Sequence, residues 1–271
     1  MIGIINLELF KREYRKFRKT KDYSYRKSQS RFVEIAKLII KELIKKEEIT
    51  NKDLTALIQM FGANCKKETF YSYLLNLKLP KDVREDIYNK FIAIGETGYT
   101  GRGKAAVKGL NKIQLKDVQE LLKSVSEAKI KDEVKKAYIK YKEKNIPQVT
   151  RGVYSPWLHY LQPKICPLIA GPVSSFLLKL GLDRSTSYSD LIDIFEELKH
   201  VVDEEDLGLI DQYFFGEERI NILLVNHTVA YKDALTSILE NKKQIILYGP
   251  PGTGKTYRTK IIAIGLVRWG G

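Results

Sequence analysis

The octet GPPGTGKT, Gly249 to Thr256, is where this sequence spells out chemistry most plainly. It fits G-x-x-x-x-G-K-[ST], a pattern whose backbone cradles phosphates. Glycines let the chain curl into a nest without Cβ clashes, so successive N–H groups point at phosphate oxygens. Lys255 would reach the β- and γ-phosphates as a point charge, and the Thr256 hydroxyl would ligate Mg²⁺. The nucleotide-binding set is Gly249, Pro250, Pro251, Gly252, Thr253, Gly254, Lys255, Thr256 and Tyr257. The loop grips phosphates and leaves the base to other contacts, so ATP and GTP are both candidate ligands.

Such a loop needs a strand before it and a helix after it. QIILY, 244–248, is a short apolar run of buried-strand type. TYRTKIIAIGLV, 256–267, places Ile261, Ile262, Gly265 and Leu266 at helical spacing. Hydrolysis needs more: a carboxylate for Mg²⁺, a group to position water, and usually an arginine at the γ-phosphate. In common P-loop architectures these lie downstream, and here sixteen residues follow Lys255. The expectation is nucleotide binding without turnover by this chain alone, and no catalytic residue is assigned. KHVVDEED, 199–206, is too short in its apolar part for a buried central strand, and reads as a solvated helix end or turn.

Charge is the second signal. The chain carries +14 overall. Residues 183–218 hold twelve acids and two bases, a net of −10, so the remainder carries +24. The densest basic stretch, 11–31, has ten Lys and Arg against Glu13 and Asp22, with Tyr14, Phe17, Tyr23 and Tyr25 interleaved. Cations neutralise phosphates and release counterions, and aromatics stack on exposed bases, so the pattern suits DNA or RNA. A solvated basic segment in a lysine-rich chain is the alternative.

Helical spacing recurs along the first half. Apolar residues at 32, 35, 36, 39, 40 and 43 give 29–46 one helix face. Thr50 or Asn51 would cap a helix running to about Phe61, and Lys67 to Leu77 would form another. Two helices joined by a short turn resemble a helix-turn-helix, with Lys66, Lys67, Tyr71 and Tyr73 facing DNA; an ordinary helical hairpin reads the same way. Residues 80–96 are helical, with Pro80 at the start. Gly98, Gly101 and Gly103, with Arg102 and Lys104 among them, present N–H groups to a phosphate or form a plain loop. Residues 114–145 give charged amphipathic helices. In 152–182, Pro163, Pro167 and Pro172 forbid one long helix, so short helices follow, with Tyr154, Trp157 and Tyr160 as core or as a base pocket.

Several classes are excluded. No apolar stretch has membrane-spanning length, and no signal-peptide pattern opens the chain. Cys65 and Cys166 have neither zinc nor disulfide spacing, and His159, His200 and His227 are scattered packing or surface residues. A cytoplasmic protein is expected.

KKQIILYGPPGTGKTY, 242–257, resembles the P-loop of AAA+ NTPases of the McrB type, motor subunits of modification-dependent restriction systems. The order YTGRGKAAVKGL, IPQVTRGVYSPWLHYLQPKICPLIAGPV, YSDLIDIFEEL and DLGLIDQYFFG is similar, more loosely, to a helical module on the N-terminal side of such proteins. The resemblance implies an N-terminal region that senses DNA, possibly modified, a ring-forming motor that makes homo-oligomers, and a separate nuclease subunit.

The expected architecture is therefore a mainly α N-terminal region followed by the start of an α/β P-loop (AAA+) domain, truncated after its first strand-loop-helix. The expected boundaries are 1–96, basic, helical and nucleic-acid-binding; 97–218, a second helical module with an acidic end; 219–243, a connecting helix; and 244–271, the P-loop segment. Lys11, Arg12, Arg15, Lys16, Arg18, Lys19, Lys66, Lys67, Tyr71, Arg102 and Lys104 are the expected nucleic-acid contacts. A nucleic-acid-binding regulator with a vestigial P-loop is the other reading the residues allow.

Overall fold

The structure is a computed structural model, which describes residues 7–62, 65–95, 107–144, 146, 149–169, 171–179, 186–216, 219 and 223. The described residues form twelve α-helices and no strand. The mainly α expectation is met; the P-loop segment, its strand and its helix lie outside the described residues, as does the glycine cluster around Arg102 and Lys104.

The centre of the core is α3, Phe32–Ile44. Its apolar residues recur at three and four positions, so Phe32, Ile35, Ala36, Ile39, Ile40 and Leu43 fall on one buried face. That face packs against α6 (Lys81–Ile94), α7 (Lys112–Glu127) and α9 (Arg151–Leu161). The Phe32 ring meets Phe61, Phe70, Phe91 and Tyr160 edge-on, with centroids 5.8 to 6.3 Å away. Edge-on contacts of this kind add about 0.5–1.5 kcal/mol each beyond the area they bury. Helices from before and after residue 96 thus share one core.

Local signals set the helix ends. α4, Asn51–Met60, opens with a capping box: the Thr50 hydroxyl accepts from the Asp53 N–H at 3.2 Å, and the Asp53 carboxylate accepts from the Thr50 N–H at 2.7 Å. α5, Lys67–Asn76, follows and packs on α4, so the helical hairpin exists. Pro80 caps α6, and Gly95 closes it at φ +67, a left-handed turn that favours glycine. α9 stops two residues before Pro163, and Tyr154, Trp157 and Tyr160 are buried core rather than an open base pocket.

The remaining helices build outward from this centre. α7 pairs with α8, Lys131–Lys142, and α8 packs on α11, Tyr188–Val202. α10, Gly171–Lys179, meets α12, Leu207–Phe214. The first two helices close the molecule at this end: α1, Leu7–Phe17, lies on α11, and α2, Lys21–Gln29, lies on α12.

Thr50→Ala removes one arm of the capping box while leaving α4's buried face intact. The expected loss is about 1 kcal/mol. It should appear as a lower urea midpoint with an unchanged m-value; an unchanged midpoint would show that Asp53 caps α4 unaided.

Candidate nucleic-acid interface and its acidic counter-face

The basic stretch 11–31 folds into two faces. Along α1, Phe10, Tyr14 and Phe17 stand four and three residues apart and point inward. Their rings pack with Tyr213 and Phe214 of α12 at 5.2 to 5.8 Å. Arg12, Arg15 and Lys16, with Lys19 in the turn after α1, face solvent, and Lys11 is half-buried. The expectation that the interleaved aromatics stack on bases is corrected for Tyr14 and Phe17. Both are fully buried, because burying an aromatic face is worth more than leaving it open to solvent. Tyr23 is half-buried with its ring edge-on to Phe17 at 5.4 Å. Tyr25 is the exception at 53% exposed.

Arg18 also leaves the expected contact set. Its guanidinium turns inward, donating to the Asp203 carbonyl and lying 3.5 Å from the Glu204 carboxylate. Glu204 Oε2 also accepts from the Tyr14 hydroxyl at 3.2 Å and the Tyr23 hydroxyl at 3.0 Å. Burial, and then the Glu204 charge, push both phenols above their ordinary range.

The acids come from the turn between α11 and α12. α11 ends at Val202, Asp203 takes the left-handed conformation at φ +53, and Asp206 caps α12 by accepting from the Gly208 N–H at 2.8 Å. The stretch 199–206 is thus a helix end and turn, as expected. Several of its acids are partners for α1 and α2 rather than freely solvated groups. Asp206 Oδ2 accepts from the Ser30 hydroxyl at 2.7 Å.

Arg26 is the buried cation of this junction, at 2% exposed. Its Nε donates to the Gly208 carbonyl at 3.2 Å, and its Nη2 lies 3.4 Å from Asp211 Oδ2. Burial drives the Asp211 carboxyl up to about 7, against the opposing pull of Arg26. His159, also buried, sits 3.6 Å from Asp206 Oδ1, and burial lowers its pKa against that charge. Sequence reasoning missed this cluster. The opposite signs of 11–31 and 183–218 were the available signal, but composition does not say which residues meet.

Arg219 reaches the same place. Its guanidinium lies 4.6 Å over the Phe17 ring and 3.5 Å from the Asp22 carboxylate, and its Nε donates to the Tyr213 carbonyl at 3.0 Å. Gly216 leaves the room: a Cβ there would lie 2.4 Å from the Arg219 Nε.

Lys66 and Lys67 are exposed at the start of α5, where Lys66 occupies the N-cap, and Tyr71 is half-buried with its ring 4.7 Å from Tyr88. They belong to a helix that packs on α4 and α6, whereas α1 packs on α11. Arg102, Lys104 and the nucleotide set Gly249 to Tyr257, with the Mg²⁺ candidate Thr256, lie outside the described residues.

No known family model matches this chain, and no solved structure matches it. Among the described residues no cluster of His, Cys, Asp and Glu could hold a metal ion, and no helix is long and apolar enough to cross a membrane.

Asp211 fixes the sign of a pH effect. Its folded value, about 7, stands well above the ordinary aspartate value of 3.8. The folded state therefore holds the proton more tightly, and this contribution to stability is present below the unfolded value and lost as pH rises through about 7. Relative to Asp211→Asn, the wild-type chain should lose stability between acid and neutral pH in denaturant titrations. Parallel profiles for the two proteins would mean that the pull of Arg26 cancels the effect of burial and Asp211 ionises as it does in the unfolded chain.

Proposed function

We propose that this chain binds ATP or GTP, with Mg²⁺, through its P-loop, and that its helical N-terminal region binds DNA. The setting is an AAA+ motor of an McrB-like restriction system, which would work as a homo-oligomer with a separate nuclease subunit. The single observation that carries the reading is the octet GPPGTGKT, with an apolar run before it and helical spacing after it. Glycines, lysine and threonine at these spacings meet the needs of a triphosphate with its metal, and an unliganded glycine-rich turn needs none of them.

The arrangement of the helical region fits this reading. Exposed cations gather on the outer side of α1, and Arg219, thirty residues before Gly249, packs its guanidinium against Phe17 of α1 and Asp22 of α2. Lys255 would hold the β- and γ-phosphates and Thr256 the metal, whose charge would offset that of the phosphates.

The test is nucleotide binding by the chain, read by fluorescence of a labelled nucleotide with and without Mg²⁺. Binding should need Mg²⁺, fall by at least about tenfold in Lys255→Ala, and lose its Mg²⁺ dependence in Thr256→Ala. Equal binding by wild type and Lys255→Ala would remove the nucleotide reading.

A further inference from the structure

Resting on the DNA half of that reading, the geometry of α1 leads to a more specific assignment. We infer that Arg12, Arg15, Lys16 and Lys19 grip the phosphate backbone of duplex DNA without reading bases, and that Glu13 is a built-in counterion that holds this grip below full strength.

The four cations recur at i, i+3, i+4 and i+7, which puts them on one outward stripe. At 1.5 Å per residue the stripe from Arg12 to Lys19 is about 10 Å long, close to the axial span of four successive phosphates on one strand. Helical hydrogen bonding continues through its end, with the Arg18 N–H on the Tyr14 carbonyl and the Lys19 N–H on the Lys16 carbonyl, each at 3.0 Å. The inner face of α1 is locked by Phe10, Tyr14 and Phe17, so the stripe is presented on a rigid support.

The partner follows from what the stripe offers and what it lacks. Single-stranded binding depends on aromatic platforms, and the aromatics between these cations are buried. What remains is charge alone, which suits a regular array of phosphates. Elsewhere many cations are committed internally: Lys131 and Lys135 to Asp193, Lys46 to Asp53, Lys164 to Glu205. Arg15 and Lys19 pair with no carboxylate among the described residues.

Glu13 is the exception inside the stripe. It is 8% exposed, accepts from Arg12 Nε at 3.2 Å and from Lys16 Nζ at 2.9 Å, and so occupies two of the four cations. Those bonds, that from Lys16 first, hold its carboxyl below the usual range, so it stays charged at neutral pH. A phosphate arriving at Arg12 or Lys16 competes with a carboxylate already in place.

The experiment is anisotropy of a labelled mixed-sequence duplex bound by the full chain across a salt series. Four phosphate contacts give a slope of log K on log salt of about −3 to −4. Glu13→Gln, nearly isosteric, should bind several-fold tighter with a steeper slope, a gain that misfolding cannot produce. Glu143→Gln on the turn after α8 makes the same charge change and should leave binding unaltered. Replacing all four cations by Gln, all on the solvent side, should weaken binding about a hundredfold and flatten the slope.

Several results would overturn the inference. If Glu13→Gln binds no tighter than Glu143→Gln, Glu13 is not the counterion. If the four-Gln chain keeps the wild-type slope, DNA binds elsewhere, and the DNA reading survives without this stripe. A single strand bound more tightly than the duplex, or polyglutamate competing as well as DNA, removes the duplex assignment. Absence of DNA binding at low salt removes both the stripe and the DNA half of the proposed function, leaving Lys255-dependent nucleotide binding as a separate result.

Discussion

A guanidinium buried in protein must have hydrogen-bond acceptors and a counter-charge, and Arg26 imposes that requirement on everything around it. α2 has almost no apolar face; its buried side chains are Arg26 and Gln29. Its attachment to α12 therefore runs through the Gly208 carbonyl and the Asp211 carboxylate. A buried pair of this kind gains little over a hydrophobic contact, but removing one partner strands the other at a cost of about 3–5 kcal/mol. Its value lies in orientation: the pair admits one docking geometry where an apolar face would tolerate several. α1 precedes α2 by a short turn, so the direction of its cation stripe depends on a contact that the stripe does not touch.

The acidic block distributes its charge in three directions. Glu204, Asp206 and Asp211 turn toward α1 and α2. Asp193 and Glu196 meet Lys131 on α8, and Glu205 meets Lys164. These pairs differ in weight. The exposed Lys164–Glu205 contact is worth little against solvent and salt. Glu204, half-buried and accepting from two phenols beside Arg18, is a node that joins three side chains of the basic stretch to one carboxylate. Intramolecular neutralisation on the inner side is what leaves the outer side of α1 with a surplus of one sign.

Elements with strong local signals were legible in the sequence. α3 followed from its spacing, α4 from the capping residue Thr50, and α6 from Pro80 at its start. The site was only half legible. Phe10, Tyr14 and Phe17 already carry a helical repeat, but the charge around them drew attention to the polar face, and the same aromatics read equally well as stacking groups. What decided between core and ligand platform was α12, about two hundred residues away, bringing Tyr213 and Phe214 against them. Long-range pairs such as Arg26 with Asp211 leave no periodicity, because neither residue's neighbours identify its partner. The nucleotide loop is the reverse case: its chemistry is local to eight residues, so the sequence alone spells it out.

His159 completes the constraint. Its Nδ1 lies 2.9 Å from the Cys166 carbonyl, an acceptor only, so Nδ1 must carry the proton. In the neutral ring Nε2 is then a lone pair, facing Asp206 Oδ1 at 3.6 Å. Oδ1 meanwhile accepts from the Gly208 N–H, and Gly208 in turn gives its carbonyl to Arg26. One residue of backbone thus links the imidazole, two carboxylates and the guanidinium. Burial favours the neutral form of both groups, so a proton added to His159 is disfavoured in the fold despite the pull of Asp206, while one added to Asp211 is favoured despite the loosened hold on Arg26. The two titrations act in opposite senses on the same junction. The junction that orients α1 is therefore an electrostatic balance among α2, α9 and α12, set by burial, and not a passive hydrophobic seam.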